Sequence, residues 1–407
     1  MIYVFYFFAA VLIFLSYKSW RGGINYLNFF KKELAKPKSD YVPFVSIIAP
    51  CRGLDAEMRE NLSALFVQDY PKYEIIFAVD DAKDAAVRII ETVSRKGAKG
   101  EQDIFAKLVV TGKAADESQK VHNLREAVLH VADDAKIFVF VDSDARPAEN
   151  WLRDLIAPLR DEKIGVASGY RWFISRNKNF ASALLAVWNA SIASALGANT
   201  KSNFCWGGSM AIRRDIFEKL DISRRLKGAV SDDFTVTNIM KKAGLPIFFV
   251  PQALTASIQD CSLPELFEFT TRQMKITRVY ATNLWLASFL GSFLFNLVFI
   301  WGILILIFGA TNEVSFWIAL AVLTTISILS IGKARLRLNA VKMVLKKYEK
   351  ELDGQFWTQT IFWVVTPALF LYNSFAAWFS RKIVWRGIKY QLNSPKQTSI
   401  ITEKERL

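Results

Sequence analysis

Apolar residues crowd both flanks of this chain and leave its middle ordinary. "MIYVFYFFAAVLIFLSY" fills positions 1–17, and "LWLASFLGSFLFNLVFIWGILILIFG" fills 284–309. A short "ATNEV" turn separates the latter from a third run at 315–332. A bilayer-spanning helix needs about 17–25 such residues, so all three qualify. The 52% hydrophobic content of the 407 residues is thus concentrated in membrane segments, and the stretch between them has globular composition. The pattern predicts an N-terminal transmembrane helix over 1–20, a body over 40–280 and a C-terminal membrane region over 281–390 with a hairpin at 284–332.

Basic residues give the orientation. Lys18, Arg21, Lys31 and Lys32 follow the first run; Arg335, Arg337, Lys342, Lys346 and Lys347 follow the third. The positive-inside rule puts these in the cytoplasm, with the amino terminus outside and the body cytoplasmic. The chain is then integral to the inner or plasma membrane. The first run has no basic n-region and no small-residue cleavage site, so a cleaved signal peptide is the weaker reading. Residues 356–380 are apolar but carry Gln359, Pro367 and Asn373, and Arg381, Lys382, Arg386 and Lys389 follow. One crossing would put those charges outside; a re-entrant helix–Pro–helix keeps them in.

The net charge of +14 reads as basic flanks beside membrane helices. A nucleic-acid surface would interleave basic and aromatic residues on the body. That pattern is missing, and no nucleic-acid partner is expected. Cys51, Cys205 and Cys261 are scattered and read as buried, reduced thiols. With only His122 and His130, acid–base work falls to carboxylates.

Within the body, "VPFVSIIAPCRG" (42–53), "YEIIFAVDDAKD" (73–84), "AKLVVTG" and "AKIFVFVDSD" read as buried strands, with helices between them. Continuous Val/Ile/Phe runs, rather than alternating ones, imply an α/β fold with a mostly parallel central sheet covered on both faces. Ligands bind such sheets beyond the carboxyl ends of the strands. "FASALLAVWNASIASALGA" (180–198) fits either a core helix or an interfacial helix guiding a lipid.

Acids collect at the strand ends. Asp142 and Asp144 leave the strand two residues apart and point the same way. Carboxylates that close repel, unless a cation lies between them or one takes up a proton. A hard divalent ion, Mg²⁺ or Mn²⁺, accepts oxygen ligands and keeps water and substrate phosphates as its others. Asp80, Asp81 and Asp84 form a second cluster, which suits a helix N-cap at Asp81 or Asp84, or a nucleotide base. No Gly-rich phosphate loop precedes it, which argues against NAD and against hydrolysed ATP. In "GAVSDDFTVTNIMKKAG", one of Asp232 and Asp233 suits an N-cap and the other a general base.

"VSIIAPCRG", "FAVDD", "FVDSDARP", "WGGSMAIRRDIF" and "SDDFTV", in this order, resemble the family 2 glycosyltransferases of the A-type, nucleotide-diphospho-sugar transferase fold. "RQMKITRVY", directly before a membrane span, narrows the resemblance to the ceramide glucosyltransferase branch and its bacterial relatives, including the hopanoid-lipid transferases. The resemblance covers about 43–285 and the membrane layout. It implies that Asp81, with Asp80, binds the uracil and ribose side of a UDP-sugar and that Lys120 lies near the nucleotide. Asp144 would hold the metal, assisted by Asp142, which also lies on the donor side. Trp206, Gly207 and Gly208 would surround the donor sugar. Asp233 would be the catalytic base, and Asp232, Arg272, Gln273 and Lys275 would face the diphosphate and the acceptor. The family's last motif ends in Arg-Trp, where this chain has Lys275 and Ile276, a departure that bears on the acceptor. The expected activity is a metal-dependent, inverting transfer from a UDP-sugar to a lipid hydroxyl. A processive polysaccharide synthase, a non-catalytic binding protein and a two-carboxylate glycosidase are the rivals.

Overall fold

The computed structural model describes residues 2–97, 104–177 and 179–401. The chain forms two compact units. One comprises residues 32–176, 196–259 and 381 onward; the other takes the rest.

The first of these is built on a seven-stranded sheet. In chain order its strands are β1 (Val45–Pro50), β2 (Tyr73–Val79), β3 (Phe105–Val110), β4 (Ile137–Phe140), β5 (Val166–Ile174), β6 (Met210–Arg213) and β7 (Ile247–Ile258). Across the sheet they run β3-β2-β1-β4-β6-β5-β7. β1 pairs in parallel with β2 and β4, β2 with β3, and β5 with β7. Only β6 is antiparallel to its neighbours β4 and β5. The mostly parallel sheet expected from the uninterrupted apolar runs is present, and β1, β2 and β4 are buried along their whole length. One face packs Ile48, Ile76, Phe138 and Phe140 against Val121 and Leu124 of the helix Gln119–Val128 and Val236 and Met240 of the helix Asp232–Lys242.

Two irregularities aim residues at one end of the sheet. Because β6 runs backwards, the loop that leads into it, Trp206 to Ser209, emerges where the parallel strands finish. On the β5–β7 ladder the register shifts after Ser168, so that Tyr170 pairs with Leu254. Pro251 falls in the extra length of β7, where a missing ladder donor costs nothing. Gly169 sits at this bulge because a Cβ there would run into the Ala253 carbonyl.

A second, three-stranded antiparallel sheet belongs to the same unit: β8 (Lys382–Trp385), β9 (Ile388–Ser394) and β10 (Gln397–Ile400). Arg386 and Gly387 join β8 to β9 with φ of 51° and 76°, the left-handed pair that a two-residue hairpin turn of type I′ requires. Its strands carry Tyr390 and Leu392 into full burial.

The other unit is helical. Ile2–Leu34, Thr282–Phe308 and Val314–Val344 are long and apolar enough to cross a membrane. The first continues well past the apolar run seen in the sequence. Phe5, Ala9 and Leu12 pack with Val298, Ala319, Val322 and Ile326, while Phe7, Leu290, Ile307 and Ile328 point outward, as lipid-facing side chains do. Lys346–Ile361 and Thr366–Phe379 form a pair bent by 75°, with Pro367 in the first turn of the second helix. Phe180–Ala193 is buried almost throughout, and its Trp188 stacks on Phe370 at 5.5 Å. Within this unit it is a core helix. Arg272, Gln273 and Lys275 lie on Leu263–Tyr280, a helix started by a Ser262–Glu265 capping box.

Candidate active site

Strand β4 stops at Phe140, and the acids behind it turn onto two basic side chains. Lys120 Nζ lies 2.7 Å from Asp142 Oδ1 and 3.2 Å from Asp232 Oδ1. The Arg171 guanidinium lies 3.1 Å from Asp144 and 3.9 Å from Asp142. The two carboxylates of "DSD" therefore do face one point, and in this arrangement the cation between them is an arginine from β5. The Arg171 guanidinium also stacks 4.9 Å from the Trp206 ring, and Trp206 leans on Tyr170.

Local structure explains how each group arrives. Ser118 caps the helix Gln119–Val128 by accepting from the Val121 N–H, which puts Lys120 in the first turn. A cation there opposes the helix dipole. Asp142 and Asp232 supply the opposite charge that offsets it. Ser231 caps the helix Asp232–Lys242, so neither acid of "SDD" is the cap itself. Asp232 turns inward to Lys120; Asp233 Oδ1 accepts from the Phe234 N–H at 2.7 Å and from the Ser231 hydroxyl. Gly207 is tied to this cluster by space: a Cβ would overlap the Asp232 carboxylate and lie 2.9 Å from Lys120 Nζ. At Gly208 it would strike the Trp206 ring.

The "VDD" cluster divides. Asp80 is buried and pairs with Arg52, while Asp81 is exposed and accepts from the Lys83 N–H in a turn. Asp84 accepts from the Ala86 N–H at the start of its helix, the capping role weighed for it, and also from the Gly53 N–H. Arg52 leads on to Arg386: each guanidinium bonds the other's backbone carbonyl, at 3.3 and 3.1 Å. Arg386 Nη2 lies 2.5 Å from Asp55, which also accepts from the Ser143 hydroxyl between the two acids of "DSD".

Burial and neighbours set the charge states. Burial opposes the Lys120 ammonium, but Asp142, Asp232 and Asp233 outweigh it and raise the pKa. Burial also works against ionised Asp142, yet Lys120 and Arg171 pull it below the usual range. Asp144 goes the other way: burial, with help from Asp142 and Asp55, outweighs Arg171 and raises it. Asp232 is pushed up to about 6, chiefly by burial. The three thiols are buried and free, and burial pushes Cys205 up to about 12, which leaves it inert.

Could these residues hold a divalent ion? Among the described residues no group of three His, Cys, Asp or Glu is arranged for one. However, Asp144 Oδ1 is buried and accepts no hydrogen bond. One or two carboxylates with substrate phosphates and water is the ordinary way Mg²⁺ is held. The donor set fits such an ion, with Asp144 foremost and Asp142 beside it.

Arg52, Asp55 and Arg171 were not singled out in the sequence, and Arg386 was weighed only for its side of the membrane. Two signals were there. Arg171 interrupts an otherwise apolar run, "VASGYRWFI", and "VWRGIKYQL" places a two-residue turn between alternating segments. In the helical unit, Arg272 lies 3.7 Å from Glu268, and burial lowers the Lys275 pKa.

A sequence model of glycosyl transferase family 21 matches residues 4–398. The chain belongs to that family. Ceramide glucosyltransferase 3 of Caenorhabditis elegans is 30% identical over 126 residues, 31% of this chain and 24% of that one. The hyaluronan synthase of Streptococcus pyogenes is 29% identical over 180 residues, 43% of this chain and 40% of that one. The matched stretches thus span less than half of either relative. A mannosyltransferase of Pyrobaculum calidifontis, solved in complex with GDP-Man and Mn²⁺, aligns over 91% of this chain and 98% of its own, at 18% identity and a TM-score of 0.46.

Proposed function

We propose that this family 21 member is a membrane-bound, inverting glycosyltransferase that moves a sugar from a UDP-sugar to a lipid hydroxyl. The observation that carries the reading is the meeting of Asp142, Asp144 and Asp232 around Lys120 and Arg171 at the carboxyl end of a parallel sheet. In a chain that also carries three helices fit to cross a bilayer, a lipid is the acceptor closest to hand. Asp80 and Asp81 are assigned to the nucleoside side of the donor, and Trp206, Gly207 and Gly208 to its sugar. Asp144 and Asp142 would hold Mg²⁺ or Mn²⁺, which supplies charge stabilisation to the leaving diphosphate. Lys120 and Arg171 balance the acids and can address the same phosphates. Asp233 is the acceptor base: its Oδ1 is fixed by the helix start, which orients the carboxylate. Arg272, Gln273 and Lys275 are assigned to the acceptor side, with the body on the cytoplasmic face.

The test is turnover. Detergent-extracted protein is incubated with Mn²⁺, a panel of UDP-sugars and a bacterial lipid extract, and UDP release and new glycolipid are followed by mass spectrometry. Asp233→Asn is expected to lower turnover about 10²–10⁴-fold, the usual contribution of a general base, with UDP affinity kept. Unchanged turnover removes Asp233 from the role. The similarity to a hyaluronan synthase favours a second reading, a processive synthase. A long polymer in place of a singly glycosylated lipid would establish it.

A further inference from the structure

The C-terminal sheet follows the last apolar helices in sequence, yet it belongs to the unit that carries the acids. It is fastened there at several points. The Tyr390 hydroxyl oxygen accepts from the Gln119 N–H at 3.2 Å, one residue from Lys120. Thr398 Oγ1 donates to the Gly228 carbonyl at 2.9 Å, three residues before Ser231. Gly228, at φ +80°, admits no Cβ, because one would run into the Lys396 carbonyl. The sheet is thereby tied close to both helix starts that frame the site, and its β8–β9 turn is Arg386–Gly387.

At that turn stands Arg386. Its backbone is left-handed, where Gly, Asn or Asp is the usual choice. The side chain, rather than the turn, must account for an arginine here. It reaches Asp55, and Asp55 is bonded to Ser143 in the middle of "DSD". Burial opposes its charge, but Asp55, Asp144 and Asp142 outweigh that and raise its pKa, so the acids of the site are within its field. Five carboxylates (Asp55, Asp80, Asp142, Asp144 and Asp232) are paired with four cations, Arg52, Lys120, Arg171 and Arg386. Three carboxylate oxygens, one each on Asp80, Asp144 and Asp232, are buried with no hydrogen-bond donor. A site with this balance repels a diphosphate unless its cations turn to the phosphates. A guanidinium, with its planar fork of donors, matches phosphate oxygens two at a time.

We propose that Arg386 is a diphosphate-binding residue, carried to the donor site by the C-terminal sheet. The inference rests on the UDP-sugar reading and deepens it. On donor binding, Arg386 exchanges part of its pairing with Asp55 for the phosphate oxygens.

Binding to the full-length purified protein tests it, with Mn²⁺ present, using a fluorescent UDP probe and competition by UDP and by uridine. Arg386→Ala is expected to weaken UDP about tenfold or more, the scale of a charge-assisted hydrogen bond, and to leave uridine within about twofold. Arg386→Lys keeps the charge, loses the fork and should fall between, and it stands in if the alanine variant does not fold. Asp55→Asn unclasps the arginine without removing it, and should bind UDP at least as tightly as the wild type. Equal loss of UDP and uridine in the Arg386 variants, no loss of either, or a UDP loss in Asp55→Asn matching that of Arg386→Ala, would make Arg386 a structural clamp and overturn the inference. A wild type that binds no uridine nucleotide overturns the donor reading itself, and the inference with it.

Discussion

Gly207 shows how little freedom single positions have in this site. It is pinned between Asp232 and Lys120, and the neighbour it would displace is a buried carboxylate already paired with an ammonium. A methyl group has to push that pair apart or move the loop that leads into β6. Both outcomes disturb the groups assigned to the donor, and the second also tilts Trp206 off Arg171. Gly207→Ala is therefore expected to cost about 1–3 kcal/mol of stability, as overpacking does, and to lower UDP affinity at least tenfold. Thermal unfolding and UDP titration check the two parts separately. If the variant keeps wild-type affinity, the donor does not use this corner. The residue scale also corrects a simple picture of "DSD". From the sequence, the repulsion between Asp142 and Asp144 called for a cation between them or a proton, and a divalent metal was the cation expected. The protein supplies Lys120 and Arg171 as well, and Arg171 was hidden because a charge inside a buried strand breaks the pattern by which such a strand is recognised.

Whole elements were legible where one force dominated. Uninterrupted apolar runs announced β1, β2 and β4, and with them the parallel sheet, since only a strand covered on both faces tolerates such a run. The end of the sheet that carries the acids followed from chain direction. β6 and the β5–β7 bulge were not readable, because antiparallel insertion and a register shift are tertiary choices with no local periodicity. The C-terminal sheet was missed for a different reason. Its charges were weighed only for which side of a membrane they prefer, while its alternation, "KIVW" against "IKYQLNS", went unused. This element meets the start of the helix Gln119–Val128 through the buried Tyr390 hydroxyl, and that bond can be tested. Tyr390→Phe removes the acceptor of the Gln119 N–H and leaves that buried donor without a partner. A loss of about 1–3 kcal/mol is expected, seen as a lower melting temperature and faster proteolysis within residues 382–400. If the hairpin becomes no more sensitive to protease, the bond does not hold the sheet in place.

At the scale of the whole molecule, two units with different solvents imply two unfolding events, and only one of them should respond to donor. The helical unit is stabilised by packing such as Phe5, Ala9 and Leu12 against Val298 and Ile326, none of which involves a nucleotide. The unit with the acid cluster carries paired charges and three buried carboxylate oxygens without donors, a cost that a bound cation would relieve. A ligand that binds only the folded state stabilises it by RT ln(1 + [L]/Kd), about 2.7 kcal/mol at a hundredfold excess over Kd. UDP with Mn²⁺ should therefore raise the transition of this unit by several degrees and leave the other where it was. With chelator, UDP alone should give a much smaller rise, because the acids then face the diphosphate uncompensated. Asp144→Asn should abolish the difference between UDP with and without metal, since it removes the charge of the carboxylate whose free oxygen fits a cation. Scanning calorimetry of the full chain in detergent, with assignment by limited proteolysis at each transition, distinguishes the outcomes. Equal stabilisation by UDP in chelator and in Mn²⁺ would show that Lys120, Arg171 and their neighbours bind the diphosphate without a metal.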